Sequence, residues 1–260
     1  MLTLEKHKPN LLMIYLPQVD YSAQKFGPNS PEVDSDIRFV DELVGQMINK
    51  TEELGIAKDT VFVILSEYSF NNVNRSVSLN VKLRDANLFA VRKINGKEYV
   101  DHEHCKAFAM VDHQFAHVYV KHGYLDEVKS VLSKVEGVSK ILDDETKKTY
   151  KIDSDRSGEL IAIADHDSWF NYYWWYDSND APPFTKNVDI HRKPGYDPLE
   201  LFFDPKTKGI SMNTNLIKGS HGAYTKPVPV VISANNVKTK EVNIDATQIA
   251  PTIASLLAQP

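Results

Sequence analysis

"VFVILSEYSF" (residues 61–70) places five apolar residues directly before Ser66, Glu67 and Tyr68. A short apolar run of this kind, rich in β-branched side chains, predicts a buried strand. An acid at the end of such a strand is a candidate ligand or catalytic group, and it is also a common first residue of a loop. Which interpretation applies to Glu67 depends on what the rest of the chain brings to the same place.

The segments around this strand alternate between apolar runs and amphipathic stretches. "NLLMIYLP" (10–17) predicts another buried strand, and residues 32–54 carry apolar side chains at helical spacing up to Gly55. A strand, a helix and a second strand in this order predict a parallel pair. Further strands are predicted at 88–93, 107–112, 116–121, 159–165 and 228–233, and further helices at 76–87, 125–135 and 246–258. The sequence therefore predicts an α/β fold with a mostly parallel sheet flanked by helices, in a single domain over residues 1–260.

Composition narrows the class of protein. A net charge of −5 argues against binding a nucleic-acid polymer, because the phosphate backbone demands concentrated Lys and Arg. No run of apolar residues is long enough for a membrane helix, so no membrane association is expected. The single cysteine, Cys105, cannot form an internal disulfide. Together with the absence of an apolar leader, these features predict a cytoplasmic protein.

Polar side chains follow three of the predicted strands. Asp20 comes after the first strand, Glu67 and Tyr68 after the second, and Asp165 and His166 after a third. Ligands of open parallel sheets bind beyond the carboxyl ends of the strands. Any one of these residues is equally consistent with a helix cap or a turn. Polar residues at the ends of three strands, however, together predict a shared site.

Three segments resemble one enzyme family in order and approximate spacing: "YLPQVDYSAQKFGPNSPEVDSDIRFVDELVGQMI" (15–48), "DTVFVILSEYSF" (59–70) and "IKGSHGAYTKPVPVVISAN" (217–235). They are similar to the blocks of type I phosphodiesterases/nucleotide pyrophosphatases, within the alkaline phosphatase superfamily. There, a strand ends in Asp with His four residues later, another ends in Ser-Asp-His-Gly, and Gly-Thr-His-Gly precedes a last strand. The resemblance implies an alkaline-phosphatase-like fold.

The resemblance also implies a mechanism and a set of site residues. Members hold two divalent metal ions, commonly zinc, beside a Thr or Ser nucleophile that attacks a phosphate ester. Carried over, Asp20, Glu67 and His221 are metal ligands. Gln24 and Tyr68 stand where the family has histidines and are expected to bind substrate. An amide oxygen suits harder cations better than zinc. The implied cofactor is therefore a divalent metal ion, zinc or a harder cation, and the implied partner is a phosphorylated small molecule.

Residues 166–224 form a long irregular segment rich in aromatic residues, Pro, Gly and Asp, which predicts a site-forming loop region. Asp189, His191 and Arg192 are candidate substrate-binding residues, because Arg binds phosphate through paired hydrogen bonds. The alternative is a rigid loop with internally paired charges. Asp165 and His166 are likewise either substrate-binding residues or a structural turn.

Two other clusters have a structural and a functional interpretation. "WFNYYWWY" (169–176) is either core or a wall on which a substrate stacks. His113 and His117, in "VDHQFAH", share the four-residue spacing of helical zinc ligands. They lie among strand-like residues, so packed or surface histidines are favoured.

The resemblance places the family's nucleophile before the strand at 10–17, where this chain has no matching segment. Either the chain is the C-terminal half of a longer protein, or it is a natural form without the catalytic threonine. Absent leading strands would leave a sheet edge exposed, which favours a homo-oligomer. The alternative function is a non-catalytic binding or assembly protein that retains the fold.

Overall fold

The computed structural model describes residues 2–187, 203–204, 206, 208–223, 230–234 and 245–258. The α-helices are α1 (Leu2–His7), α2 (Gln18–Phe26), α3 (Pro31–Glu53), α4 (Leu79–Asp85), α5 (Leu125–Leu132), α6 (Asp144–Thr149) and α7 (Ile249–Leu257). The strands are β1 (Val61–Leu65), β2 (Asn71–Asn72), β3 (Arg75–Ser78), β4 (Val91–Ile94), β5 (Lys97–Val100), β6 (Ala107–Asp112), β7 (Phe115–Val120), β8 (Val138–Leu142), β9 (Leu160–Ala164), β10 (Ser168–Asn171), β11 (Phe203–Asp204), β12 (Gly209–Ile210), β13 (Gly219–Ser220) and β14 (Val230–Ala234).

The chain divides into two compact units. Unit 1 comprises Met1–Val19, Asp34–Ser69 and Lys226–Pro260, and unit 2 comprises Asp20–Val33 and Phe70–Thr225. The mixture of helices and sheets confirms the α/β class. That all 260 residues form one domain stays a prediction.

Unit 1 contains a two-stranded sheet in which β1 pairs with β14 in antiparallel register, from Val61↔Ala234 to Leu65↔Val230. The prediction of a strand at 60–65 is confirmed, but its burial is not, since Ile64 and Leu65 are each 41% exposed. The predicted parallel partner at 10–17 is wrong, because residues 11–17 lie in neither a helix nor a strand. An apolar run becomes a strand only where a neighbouring strand accepts its backbone hydrogen bonds.

Helix α3 confirms the helix predicted at 32–54. It begins at Pro31, where the fixed φ of proline and its missing N–H suit a first helical position. Beyond its end at Glu53, Gly55 adopts φ +68°, a conformation that glycine enters at low cost. No helix in the described ranges combines the length and apolar character needed to cross a bilayer.

Unit 2 is built on a four-stranded sheet in the order β6–β7–β9–β8, and each neighbouring pair is antiparallel. Across the described residues only β10 and β3 pair in parallel, so the prediction of a mostly parallel sheet is wrong. The reason lies in the connection between β6 and β7, since a two-residue link permits only an antiparallel hairpin. The individual strands at 107–112, 116–121 and 159–165 are confirmed to within one residue.

The core of unit 2 explains the aromatic run. Trp169, Phe170, Tyr172, Trp174 and Trp175 are each at most 5% exposed. Four of them belong to the large apolar cluster that packs against the four-stranded sheet, while Trp169 joins a smaller one. The structural interpretation is therefore confirmed for these five rings, whereas Tyr176 at the end of the run is 62% exposed.

Candidate functional site

The candidate site of unit 2 begins at the turn between β6 and β7. Asp112 pairs with Phe115, so only His113 and Gln114 make the turn. His113 adopts φ +57°. A positive φ at a central position matches the twist of a tight hairpin, but outside glycine it is uncommon and costs about 1 kcal/mol or more. The turn therefore holds a histidine in a conformation that glycine or asparagine would enter more easily.

Gln114 connects this turn to two other segments of unit 2. Its side chain is fully buried, and its Nε2 donates to the carbonyl oxygen of Ser168 at 2.8 Å. The same nitrogen lies 3.2 Å from the carbonyl oxygen of Asp165 and 3.3 Å from that of His166. Its Oε1 accepts from Nδ2 of Asn71 at 2.8 Å. Asp165 and His166 thus come to the turn through their backbone, while the His166 side chain is exposed.

His221 lies against the same turn, directly after β13. Its carbonyl oxygen accepts from the backbone N–H of Gln114 at 2.7 Å. Its ring centroid is 3.9 Å from that of His113, at an interplanar angle of 40°. The ring of Phe70 approaches His221 edge-on at 5.1 Å and 76°. The imidazole of His221 is therefore packed between two other rings.

Burial sets the charge of both histidines. It lowers the pKa of His221 to about 2, and the neighbouring His113 lowers this pKa further. Burial also lowers the pKa of His113, although the carboxylate of Asp112 opposes the shift. Both imidazoles are therefore neutral at pH 7. The neutral form is the one that binds a metal ion.

Asp20 and Gln24 lie one turn apart on α2. Nε2 of Gln24 donates to Oδ2 of Asp20 at 3.0 Å, and Gln24 is only 3% exposed. The carbonyl oxygen of Gln24 accepts from the backbone N–H of Lys218 at 2.8 Å. This bond ties α2 to the strand that leads into His221. The structure thus brings three predicted site residues onto contacting elements of unit 2.

Glu67 and Tyr68 belong to unit 1. Glu67 is exposed at the bend after β1, and Tyr68 is half-buried. The hydroxyl of Ser66 donates to the carbonyl oxygen of Tyr68 at 2.8 Å, which shapes this bend. Asp189, His191 and Arg192 lie outside the described residues.

The donor chemistry of unit 2 fits a divalent metal ion only in part. A carboxylate and a neutral imidazole are ordinary ligands for such ions, and Asp20 and His221 supply one of each. Within the described residues, no group of three or more His, Cys, Asp or Glu side chains is arranged to hold a metal ion. Asp20 and His221 therefore offer suitable donor atoms, but the described residues do not assemble them into a ligand set.

Sequence reasoning missed the position of His113. The four-residue spacing pairs it with His117, whose ring faces a different environment, where Nδ1 accepts from the N–H of Gly158 at 3.2 Å. The useful signal is the pair of turn residues between two strands that alternate apolar and polar side chains. That pattern locates a hairpin, and the hairpin tip carries His113 to His221.

An open groove of about 360 Å³ also lies in unit 2, lined in part by Cys105, Lys106 and Lys121. It is at the open end of the β6–β7 hairpin, since Ala107 and Val120 line it. Six residues of strand separate that end from the turn, or roughly 17 Å at the usual rise. The groove is therefore separate from the His113–His221 pair.

Comparisons with known proteins identify relatives. A family model described as "Type I phosphodiesterase / nucleotide pyrophosphatase" matches residues 1–197 of the 260. An uncharacterized pyrophosphatase/phosphodiesterase of Schizosaccharomyces pombe, C725.05c, is 36% identical over 64 residues, which are 25% of this chain and 13% of that protein.

Two solved structures are similar to the chain. Phosphonoacetate hydrolase from Sinorhizobium meliloti 1021, in complex with phosphonoacetate, aligns with a TM-score of 0.51 and 16% identity over 92% of this chain and 50% of that chain. Murine ectonucleotide pyrophosphatase/phosphodiesterase 5 aligns with a TM-score of 0.45 and 18% identity, over 78% of this chain and 43% of that one. The chain thus spans half or less of the length of these relatives.

Proposed function

Because the chain belongs to the type I phosphodiesterase/nucleotide pyrophosphatase family, we propose that it serves metal-dependent hydrolysis of a phosphate ester or anhydride. Asp20 and His221 bind the divalent cation. The observation that carries the proposal is the ring-packed imidazole of His221 on a segment that hydrogen-bonds the helix of Asp20. The substrate is a phosphorylated small molecule.

The chain's own residues have distinct tasks in this proposal. A divalent cation supplies Lewis-acid stabilisation of charge on phosphate oxygens. Asp20 presents a carboxylate whose second oxygen is held by the amide of Gln24, so Gln24 orients the ligand. His221 stays uncharged through burial, and the uncharged imidazole is the form that binds a metal ion. Glu67 stays a ligand candidate on the sequence resemblance alone.

The nucleophile is proposed to come from a part of the family fold outside these residues. This is supported by the extent of the likeness, since 92% of the chain aligns with only 50% of phosphonoacetate hydrolase. A neighbour twice as long has room for the nucleophile and further ligands. Hydrolysis would then need a longer form of the polypeptide, or a second polypeptide that completes the fold.

The proposal is tested by equilibrium dialysis of the chain against Zn²⁺ and Mn²⁺, beside Asp20→Asn, Glu67→Gln and His221→Ala variants. We expect binding by the wild type and at least about tenfold weaker binding by Asp20→Asn and His221→Ala, since each removes a direct ligand. His104→Ala is the matched control, because His104 lies on an exposed turn. Equal binding by all the variants would refute the assignment.

Activity is measured on bis(p-nitrophenyl) phosphate with this chain and with the longest reading frame that contains it, each with and without EDTA. We expect metal-dependent turnover only in the longer form. Metal-dependent turnover by the chain alone would instead place the nucleophile within these residues. Absence of turnover in both would remove the hydrolase proposal.

A second candidate is a non-catalytic binding or assembly protein that keeps the family fold. Two observations favour it: the amide of Gln24 already occupies an oxygen of Asp20, and no three-ligand cluster exists within the described residues. In that case Gln24→His, which restores the family's residue, would raise Zn²⁺ affinity above that of the wild type. The hydrolase proposal expects the change to alter metal preference from harder cations towards zinc while wild-type binding is already measurable.

A further inference from the structure

We propose that His113 is a positioning residue for His221, holding its imidazole in the one orientation from which it binds a divalent cation. This rests on the proposed function, in which His221 is a ligand. Neither the sequence pattern nor the family resemblance gives His113 this task.

The first support is the packing of the rings. His113 covers one side of His221 with centroids 3.9 Å apart, and Phe70 contacts it edge-on at 5.1 Å. Imidazole orientation about χ2 is broad when nothing restricts it. Contacts from two rings restrict that rotation, and His113 supplies the closer of the two.

The second support is the attachment of the two backbones. The N–H of Gln114 donates to the carbonyl oxygen of His221 at 2.7 Å, and the N–H of Phe170 donates to the carbonyl oxygen of His113 at 2.7 Å. Gly222 follows with φ +104°, and a Cβ there would stand 3.4 Å from the backbone nitrogen of Gln114. The hairpin turn and the His221 segment are therefore held together at close range.

The third support is the backbone conformation of His113. At φ +57° the turn would accept glycine or asparagine with less strain. Strained residues persist where surrounding structure over-determines them, and they cluster at functional sites. The ring of His113 is the part of the residue that glycine or asparagine cannot replace, and it is the part that contacts His221.

Groups that orient a metal-binding histidine commonly change metal affinity 10- to 100-fold when they are removed. The test is a Co²⁺ titration followed by visible absorption, with the wild type, His113→Asn and His113→Phe. Asn tolerates the positive φ but lacks a ring, whereas Phe keeps a ring without nitrogens. We expect about tenfold weaker binding and an altered Co²⁺ spectrum for His113→Asn, and affinity within about threefold of wild type for His113→Phe.

His117→Asn is the matched control, being the same substitution in the same hairpin at a histidine that hydrogen-bonds Gly158 instead. It should leave both affinity and spectrum unchanged. A His113→Asn protein that binds Co²⁺ like the wild type, with the same spectrum, overturns the proposal. A loss of equal size in His117→Asn also overturns it, because the effect would then be general to the hairpin.

A metal-free measurement separates this inference from the proposed function. NMR of the wild type with labelled histidine should show close contacts between the ring protons of His113 and His221, and His113→Asn should broaden the His221 signals. If the wild type binds no metal, the proposed function fails while this arm still decides the packing role. If the ring contacts are missing in the wild type, the inference fails whatever the metal titration shows.

Discussion

The two units differ in how they treat apolar side chains. Every buried apolar side chain among the described residues belongs to unit 2, including Leu79, Leu83 and Phe170 at 0% exposure. In unit 1, Leu11, Leu12, Met13, Ile14 and Tyr15 are 40–86% exposed in succession. Soluble monomers rarely expose a large contiguous apolar surface, and a surface of this kind commonly marks an interaction site. Unit 2 thus carries its own core, while unit 1 presents apolar surface.

The largest expected difference in the free energy of unfolding is between substitutions of two phenylalanines. Phe170→Ala in the core of unit 2 should lower the free energy of unfolding by about 3–5 kcal/mol, since it removes a fully buried ring and leaves a cavity. Phe39→Ala in α3 should cost about 1 kcal/mol or less, because Phe39 is already 47% exposed. Urea denaturation measures both. Similar losses for the two variants would mean that Phe39 is covered in solution and that the two units do not differ in this respect.

The next largest difference in stability is expected between substitutions of two acids that pair with basic side chains. Both oxygens of Glu98 accept from the guanidinium of Arg84, at 2.6 and 3.0 Å, and Glu98 is 3% exposed. Glu98→Gln should cost about 2–3 kcal/mol, because a buried charge loses its partner. Glu5→Gln in unit 1 removes the exposed pair with Lys50 and should leave the urea midpoint unchanged. An unchanged free energy of unfolding in Glu98→Gln would show that the Arg84–Glu98 pair does not stabilise unit 2.

A smaller effect depends on pH. Burial raises the pKa of Tyr173, whose hydroxyl donates to the carbonyl oxygen of Met212 at 2.8 Å. Because the folded pKa exceeds the unfolded value of about 10, its stabilisation is complete below that pH and is lost as pH rises. Between pH 10 and pH 11 the stabilisation that is lost amounts to about 1 kcal/mol. Tyr173→Phe should remove that part of the alkaline decline in the urea midpoint.

The smallest effect on stability falls in unit 1. Met13→Glu replaces a side chain that is 86% exposed and should change the free energy of unfolding by less than about 0.5 kcal/mol. If the apolar run serves the homo-oligomer that the sequence predicts, the same change should shift sedimentation towards the monomer. A wild type that is monomeric at every concentration would leave this surface without a second copy as partner.

Elements with strong periodicity could be predicted from the sequence, and pairings could not. Helix α3 and strands β6, β7 and β9 follow from apolar spacing alone. The run at 10–17 has the same composition as a strand, but its outcome depends on a partner that periodicity does not reveal. Element order predicts parallel pairing, whereas the two-residue turn at His113 and Gln114 imposes the opposite direction on β6 and β7.

The candidate site divides in the same way. The family resemblance placed Asp20, Gln24 and His221, and unit 2 brings them onto contacting elements. The contact of His113 with His221 joins residues far apart in sequence, and it depends on hairpin register and turn conformation. The hairpin register and the turn conformation are not encoded in the spacing of the two histidines. The assignment of Glu67 as a ligand stays a prediction.

The binding of a divalent cation by His221 can be measured by X-ray absorption spectroscopy of the Zn²⁺-loaded protein, with His221→Ala as the paired sample. We predict imidazole scattering with a Zn–N distance of about 2.0–2.1 Å in the wild type and its loss in the variant. An identical imidazole signal in both samples, or a wild type that retains no zinc, would show that His221 is not a ligand.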